Sequence, residues 1–254
     1  IFFCKNCSHV QLLDVIDPKI LFSEYVYVSG TSPLFVEHFR RYASDVVTQF
    51  TPKVGSLVVD IGSNDGTLLS FFKKAGMSVL GIDPARKIVE EANRNGIETL
   101  GGFFNQSLAE KILVSKGPAS IITANNVFAH ADDLEGIIQG VRSLLAPDGI
   151  FIFEVSYLAD VIEKTLFDTI YHEHLSYHSV GPLQRFFAHN GMDMFGAYRV
   201  DTHGGSIRGV CQLADGPYSD DGTVSELITL EQNHALNRVE TFSNFAYGIE
   251  VLKH

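Results

Sequence analysis

Hydrophobic positions set the first divisions of the chain. Leu34, Phe35, His38, Phe39, Tyr42 and Val46 recur at three- and four-residue steps, predicting a helix from about Pro33. From residue 56 the rhythm becomes alternating strand and helix. Ser56–Ile61 is apolar and β-branched, as a strand buried on both faces should be. Asp65–Ala75 reads as a helix ended by Gly76, and Ser78–Ile82 as a second strand. Pro84–Asn95 reads as a helix with proline at its first position. A short strand at Ile97–Gly101, a helix at Gln106–Ser115 and a strand at Ala119–Ala124 follow. Leu134–Leu145 is a helix stopped by Pro147-Asp148-Gly149, and Ile150–Val155 is the next strand.

Strands separated by helices imply right-handed crossovers and an open, doubly wound, Rossmann-like α/β sheet. Beyond it, Leu183–His189 reads as a helix and Met194–Val200 and Ile207–Leu213 as strands. With no helix between them, these two strands predict an antiparallel pair at a sheet edge. Residues 223–254 read as one long helix.

The first strand ends in Asp60-Ile61-Gly62-Ser63-Asn64-Asp65-Gly66. Ligands of such sheets lie beyond the carboxyl ends of the strands. Gly62 and Gly66 permit a sharp turn, and the helix behind them offers free N–H groups and partial positive charge. Asp83 follows Gly62 by 21 residues, at the end of the second strand, where a carboxylate can accept both ribose hydroxyls. Asp60, Gly62, Asn64, Gly66, Asp83 and Asn125 are therefore the candidate cofactor residues. The spacing is Gly-x-x-x-Gly rather than the dinucleotide pattern with its third glycine, which favours S-adenosylmethionine over NAD.

Tyr171-His172-Glu173-His174-Leu175-Ser176-Tyr177-His178 places three histidines, one glutamate and two tyrosines in eight positions. That density of proton-moving groups points to an active site. His130 ends the fourth strand–helix turn and is expected in the same crevice. A metal reading, with His174 and His178 four residues apart, lacks the His-Glu-x-x-His pattern. His203-Gly204-Gly205-Ser206-Ile207-Arg208 joins the two late strands. Its glycine N–H groups and Arg208 could hold a phosphate or sugar oxygen, or it is an ordinary hairpin. Cys4 and Cys7 have structural-zinc spacing but supply only two ligands of four. Cys211 lies in an apolar strand, as a buried, inert thiol would.

Composition narrows the class further. Hydrophobic residues make up 45% of the 254 and charged residues 19%, which is globular. The net charge of -11 repels phosphate backbones, so nucleic acid is not an expected partner. No apolar run approaches a membrane span, and no signal peptide opens the chain, so membrane association is not expected. Three cysteines suit a reducing cytoplasm. Both ends fall within apolar patterns, and the chain reads as a piece of a longer protein.

Several stretches together resemble the C-methyltransferases that act on nucleotide-linked 4-keto-deoxyhexoses. They are Cys4-x-x-Cys7 with Val10-Gln11-Leu12, Tyr25-Val26-Tyr27-Val28-Ser29-Gly30, Asp60–Gly66, Asn125–His130, Tyr171–Ser179 and His203–Arg208. The resemblance implies a class I methyltransferase core at 25–200. It also implies a remnant of an amino-terminal zinc module at 1–24, and at 201–254 an edge strand and helix leading into a truncated carboxy-terminal domain. It implies adenosylmethionine as methyl donor, zinc where a second cysteine pair is present, and a nucleotide sugar as substrate. Carbon methylation next to a ketone requires a proton to leave first. His174 is the expected general base. Tyr171, Glu173 and His130 would orient the sugar or stabilise the enolate, and Tyr25 would close over the site. Asn126, Gly205 and Arg208 are the expected sugar-nucleotide contacts. Rival readings are an NAD-dependent sugar-nucleotide enzyme and a non-catalytic nucleotide-binding module.

Overall fold

The β-branched run Leu57–Ile61 is buried at every position, so it needs partners on both edges and cover on both faces. The computed structural model describes residues 1–25 and 28–252. Val26 and Tyr27, part of the resemblance above, lie outside the described residues, as do Lys253 and His254.

In chain order the strands are β1 (Phe2–Phe3), β2 (Val10–Gln11), β3 (Leu57–Ile61), β4 (Ser78–Asp83), β5 (Thr99–Gly101), β6 (Ala119–Asn125), β7 (Leu145–Ser156), β8 (Ser176–Tyr177), β9 (Met192–Val200) and β10 (Ser206–Leu213). The helices are α1 (Pro18–Phe22), α2 (Pro33–Phe50), α3 (Thr67–Lys74), α4 (Arg86–Arg94) and α5 (Gln106–Lys116), then α6 (Leu134–Leu144), α7 (Leu158–Glu163), α8 (Val180–His189), α9 (Thr223–Asn233) and α10 (Val239–Leu252).

The chain divides into two compact units. One comprises residues 17–125 and 135–152, the other residues 1–16, 126–134 and 153–254. In the first of these the strand order is β5-β4-β3-β6-β7. β3 pairs in parallel with β4 and with β6, and β4 with β5, as the crossovers require. Val58, Val59, Leu69, Phe72, Leu80 and Ile122 are fully enclosed. Each such side chain contributes roughly 1.5–3 kcal/mol of burial.

In the other unit β7 is followed by β10 and β9, and β9 and β10 form the expected antiparallel pair, Ser206 opposite Val200 through Leu213 opposite Met192. A small sheet, β1-β2-β8, sits in the same unit. The core of this unit is aromatic: Phe153 stacks on Phe128 and on Phe187 at 5.3 Å, all three enclosed.

Two expected elements differ. The single long helix over 223–254 is broken: Ala235 adopts left-handed backbone at φ 52°, and Leu236 N–H turns back to the Glu231 carbonyl, so α9 and α10 are separate. Periodicity alone does not see that interruption, because the apolar rhythm resumes on the far side. The second difference is at Pro147-Asp148-Gly149, which lies inside an extended β7 rather than before it. A Cβ on Gly149 would sit 2.9 Å from the Ala119 carbonyl oxygen, so the close approach accounts for the glycine without a turn. Among the described residues no helix is long and apolar enough to cross a membrane.

Candidate functional site

The first candidate centre is the β3–α3 loop. Gly66 has φ 79°, and a Cβ there would lie 2.8 Å from the Ile97 side chain, so only glycine fits. Asn64 takes left-handed backbone at φ 50° and is held there by side chains and backbone together. Its N–H donates to Asp83 Oδ2 at 2.9 Å, and its own Oδ1 accepts from the N–H groups of Ser29 and Asp65. Asp65 in turn accepts from Gly30 N–H and Thr67 N–H. The first amide of α3 is therefore already engaged. The ties to Ser29 and Gly30 are a feature that sequence reasoning missed; the Asn-Asp pair in the loop was their only signal.

Asp83 is buried, and its other oxygen accepts from Ala85 N–H at 2.9 Å. Burial raises its pKa, against those two backbone donors. Each carboxylate oxygen has two lone pairs, so one acceptor position per oxygen remains for a ligand. Asp60 lies deeper, 4% exposed, and accepts from Thr123 Oγ1 at 2.6 Å. Burial pushes its carboxyl up to about 7. Its observed role is to brace the strand beneath the loop.

Asn125 ends β6, and both its side-chain oxygen and nitrogen are buried without a hydrogen-bond partner among the described residues. An unpaired buried amide costs about 1–3 kcal/mol, and a ligand with polar edges would recover it. Gly62, Asn64, Gly66, Asp83 and Asn125 all belong to one compact unit and fit a nucleoside-bearing cofactor. Tyr25, in the same unit, packs edge-on against Phe22 at 5.7 Å.

The second centre lies in the other unit and is made of histidines. His174 Nδ1 is 2.8 Å from the Thr169 carbonyl. A carbonyl only accepts, so Nδ1 carries the proton and the neutral ring keeps its lone pair on Nε2. The Tyr171 hydroxyl donates to that Nε2 at 3.1 Å. Burial lowers the His174 pKa, with the Thr169 contact opposing. His130 stacks on His174 at 5.1 Å between ring centres. Burial first, then His174 and His203, drive His130 down to about 3. Glu173 is half-buried nearby in sequence and raises the Tyr171 pKa, second to burial.

His178, the third histidine of the dense segment, is separate from this cluster. It is 1% exposed and its Nε2 donates to the Phe128 carbonyl at 3.0 Å. The segment forms a turn and the short strand β8, so His174 and His178 share no helical face.

The expected sugar-nucleotide residues are partly committed to structure. Arg208 Nε lies 2.6 Å from Glu154 Oε1 in a mostly buried ion pair. Gly205, at φ 141°, passes so close to Asp160 that a Cβ would sit 2.3 Å from its Cγ. Its carbonyl accepts from Tyr157 N–H. Asn126, at φ 56°, reaches His203 with Nδ2 3.3 Å from Nε2.

Cys4 and Cys7 are exposed. Backbone N–H groups of Cys7 and Asn6 and the Cys7 thiol lower the Cys4 pKa. Among the described residues no three potential ligands gather, so the pair makes half of a tetrahedral zinc set and no closed site. Cys211 is buried and burial raises its thiol pKa well above the usual value, as expected of an inert cysteine.

These buried groups set an acid limit on stability. His130 and His178 titrate near 3 when folded and near 6.5 when free, so their contribution is present above 6.5 and is lost as pH falls towards 3. Asp60 runs the other way: its contribution is present below 3.8 and is lost as pH rises through 7. Two histidines against one aspartate, with the smaller opposed shifts of His9 and His174 against Asp83 and Glu231, leave a net loss on acidification from pH 6.5 to 4, on the order of 1 kcal/mol per pH unit. Thermal denaturation should show a lower midpoint at pH 5 than at pH 7; a higher one contradicts the balance.

Residues 35–195 match a family described as Methyltransferase domain. C-methyltransferase NovU of Streptomyces niveus is 35% identical over 247 residues, 97% of this chain. The chain spans 59% of that relative's length. A ubiquinone biosynthesis O-methyltransferase of Ralstonia nicotianae is 27% identical over 43% of this chain and 47% of its own. Among solved structures, magnesium protoporphyrin IX methyltransferase of Synechocystis PCC 6803 with bound SAH superposes with a TM-score of 0.52 at 19% identity, covering 69% of this chain and 82% of that one. The PH0226 protein of Pyrococcus horikoshii OT3 gives 0.58 at 15% identity, over 74% and 94%. These likenesses establish the class I methyltransferase form of the Rossmann-like fold. The chain belongs to the methyltransferase-domain family.

Proposed function

We propose that the chain is an S-adenosylmethionine-dependent C-methyltransferase that methylates a carbon beside the ketone of a nucleotide-linked 4-keto-deoxyhexose. The observation that carries this reading is His174: its tautomer is set by the Thr169 carbonyl, leaving an imidazole lone pair on Nε2 beside the Tyr171 hydroxyl. An amine attacks through its own lone pair, whereas a carbon beside a ketone becomes a nucleophile only when its C–H proton is removed, and a positioned neutral imidazole does that. The similarity to a protein named C-methyltransferase supports carbon as the acceptor. The keto-sugar substrate rests on the resemblance of the Tyr171–Ser179 and His203–Arg208 stretches.

Adenosylmethionine, when bound, supplies an electrophilic methyl group. Asp83 and the Gly62–Gly66 loop would hold its ribose and methionyl ends, and Asn125 its polar edge. His174 Nε2 removes the proton next to the ketone. Tyr171 and Glu173 orient the sugar, and His130, neutral in its enclosure, keeps the base in place by stacking. Asn126, Gly205 and Arg208 serve the nucleotide sugar. Catalysis is expected in the cytoplasm, the compartment that three cysteines suit.

The test is transfer of labelled methyl from adenosylmethionine to a thymidine-linked 4-keto-deoxyhexose. Label on a ring carbon, stable to acid hydrolysis, is the expected result. Label on oxygen, or cofactor binding without transfer, overturns the reading.

A further inference from the structure

Three imidazoles that influence one another lie in one unit, and the reading above uses two of them. The third, His203, lies in the turn between β9 and β10 and is exposed. Its Nε2 is 3.3 Å from Nδ2 of Asn126. An amide nitrogen only donates, so Nε2 accepts and the proton of the neutral ring is on Nδ1. His203 is also near enough to His130 to depress its pKa, after burial and His174. His130, in turn, is stacked on the proposed base.

The backbone here is unusual. His203 has φ 50° and Asn126 φ 56°, a region that residues with side chains seldom adopt. Such outliers persist only where the surroundings over-determine them. They do so here. Lys164 Nζ donates to the Gly204 carbonyl at 2.7 Å, and Tyr157 N–H to the Gly205 carbonyl at 3.1 Å. Asp160, 2% exposed, presses on Gly205 and is itself ion-paired at 2.7 Å with both Lys164 and Arg199. A simple hairpin turn requires none of this. The network fixes one exposed imidazole, in one tautomer, against Asn126 and within electrostatic reach of His130.

We propose that His203, aligned by Asn126, is a further catalytic residue, whose Nδ1–H donates to the ketone oxygen as the enolate forms. The assignment rests on the enolising reading above. His174 Nε2 takes the proton from the carbon beside the ketone. The C–H electron pair becomes the new C=C bond, and the carbonyl π pair moves to oxygen. That oxygen accepts the His203 hydrogen bond, and His203 keeps its proton. A donor placed where charge develops lowers the barrier without being consumed.

The experiment is exchange of the sugar's α-proton for deuterium, followed by NMR with adenosylhomocysteine present. Wild type, His203→Leu and His203→Asn are compared, with the melting temperature of each. Asparagine places an amide N–H near the Nδ1 position; leucine places none. Expected are exchange in wild type, a loss of tenfold or more in His203→Leu, and recovery of much of it in His203→Asn, at unchanged melting temperature. Exchange in His203→Leu within a few-fold of wild type overturns the assignment and leaves the enolising reading standing. Equal loss in both variants, or loss that tracks a fallen melting temperature, overturns it in favour of a purely structural turn. Absence of exchange in wild type overturns the enolising reading itself, and the assignment with it.

Discussion

Replacing His174 with asparagine lowers turnover about a hundredfold or more, the usual worth of a general base. Asparagine can still donate to the Thr169 carbonyl that now holds Nδ1, so the loop keeps its anchor. What disappears is the Nε2 lone pair, and with it the group that accepts the substrate proton. Affinity for adenosylmethionine stays near the wild-type value, because the hydrogen bonds that hold the Gly62–Gly66 loop and Asp83 are made without His174. The pH profile carries a second signature. Burial lowers the His174 pKa below 6.5, so the base form persists and the acid limb of kcat/KM lies below that value. An asparagine variant with wild-type turnover would remove His174 from the role of base.

Asp83→Ala weakens adenosylmethionine binding by about 1–3 kcal/mol, roughly five- to 150-fold. The carboxylate has two duties. It is proposed to accept the ribose hydroxyls, and it accepts the N–H groups of Asn64 and Ala85. Alanine leaves both amides without that acceptor and loosens a loop in which Asn64 has left-handed backbone. The variant should therefore lose thermal stability as well as affinity. Asp83→Asn keeps one acceptor oxygen and should fall between the two. Titration calorimetry separates the effects; an Asp83→Ala protein that binds the cofactor normally excludes the residue from the site.

Much of the α/β core was legible because its signals are local. A strand buried on both faces must be largely apolar, as Leu57–Ile61 is apart from Asp60, and a covering helix must carry one apolar face, as α2 does. The β3–α3 glycine loop was legible for the same reason: Gly66 is there because no other residue fits beside Ile97. The antiparallel pairing of β9 with β10 followed from the absence of a helix between them. The break at Ala235 was not legible, since alanine is ordinarily a helix former and only its bonded surroundings hold it at φ 52°.

Within the candidate sites, the sequence by itself determined residue type and order: a carboxylate after β4, a glycine loop after β3, and a dense run of histidine and tyrosine before β8. Tertiary structure decided which of those groups remain available. Asp60 and Asp83 look alike in sequence, yet Asp60 is bonded to Thr123 beneath the loop while Asp83 tethers it. His174 and His178 are four residues apart, yet one meets Tyr171 and His130 while the other is sealed against the Phe128 carbonyl. Arg208 reads as a free cation until Glu154 is found beside it. His203 reads as a turn residue until Asn126 and His130 are found around it. Chemistry of this kind depends on hydrogen-bond partners and burial contributed by residues distant in the chain, and spacing along a sequence does not encode those partners directly.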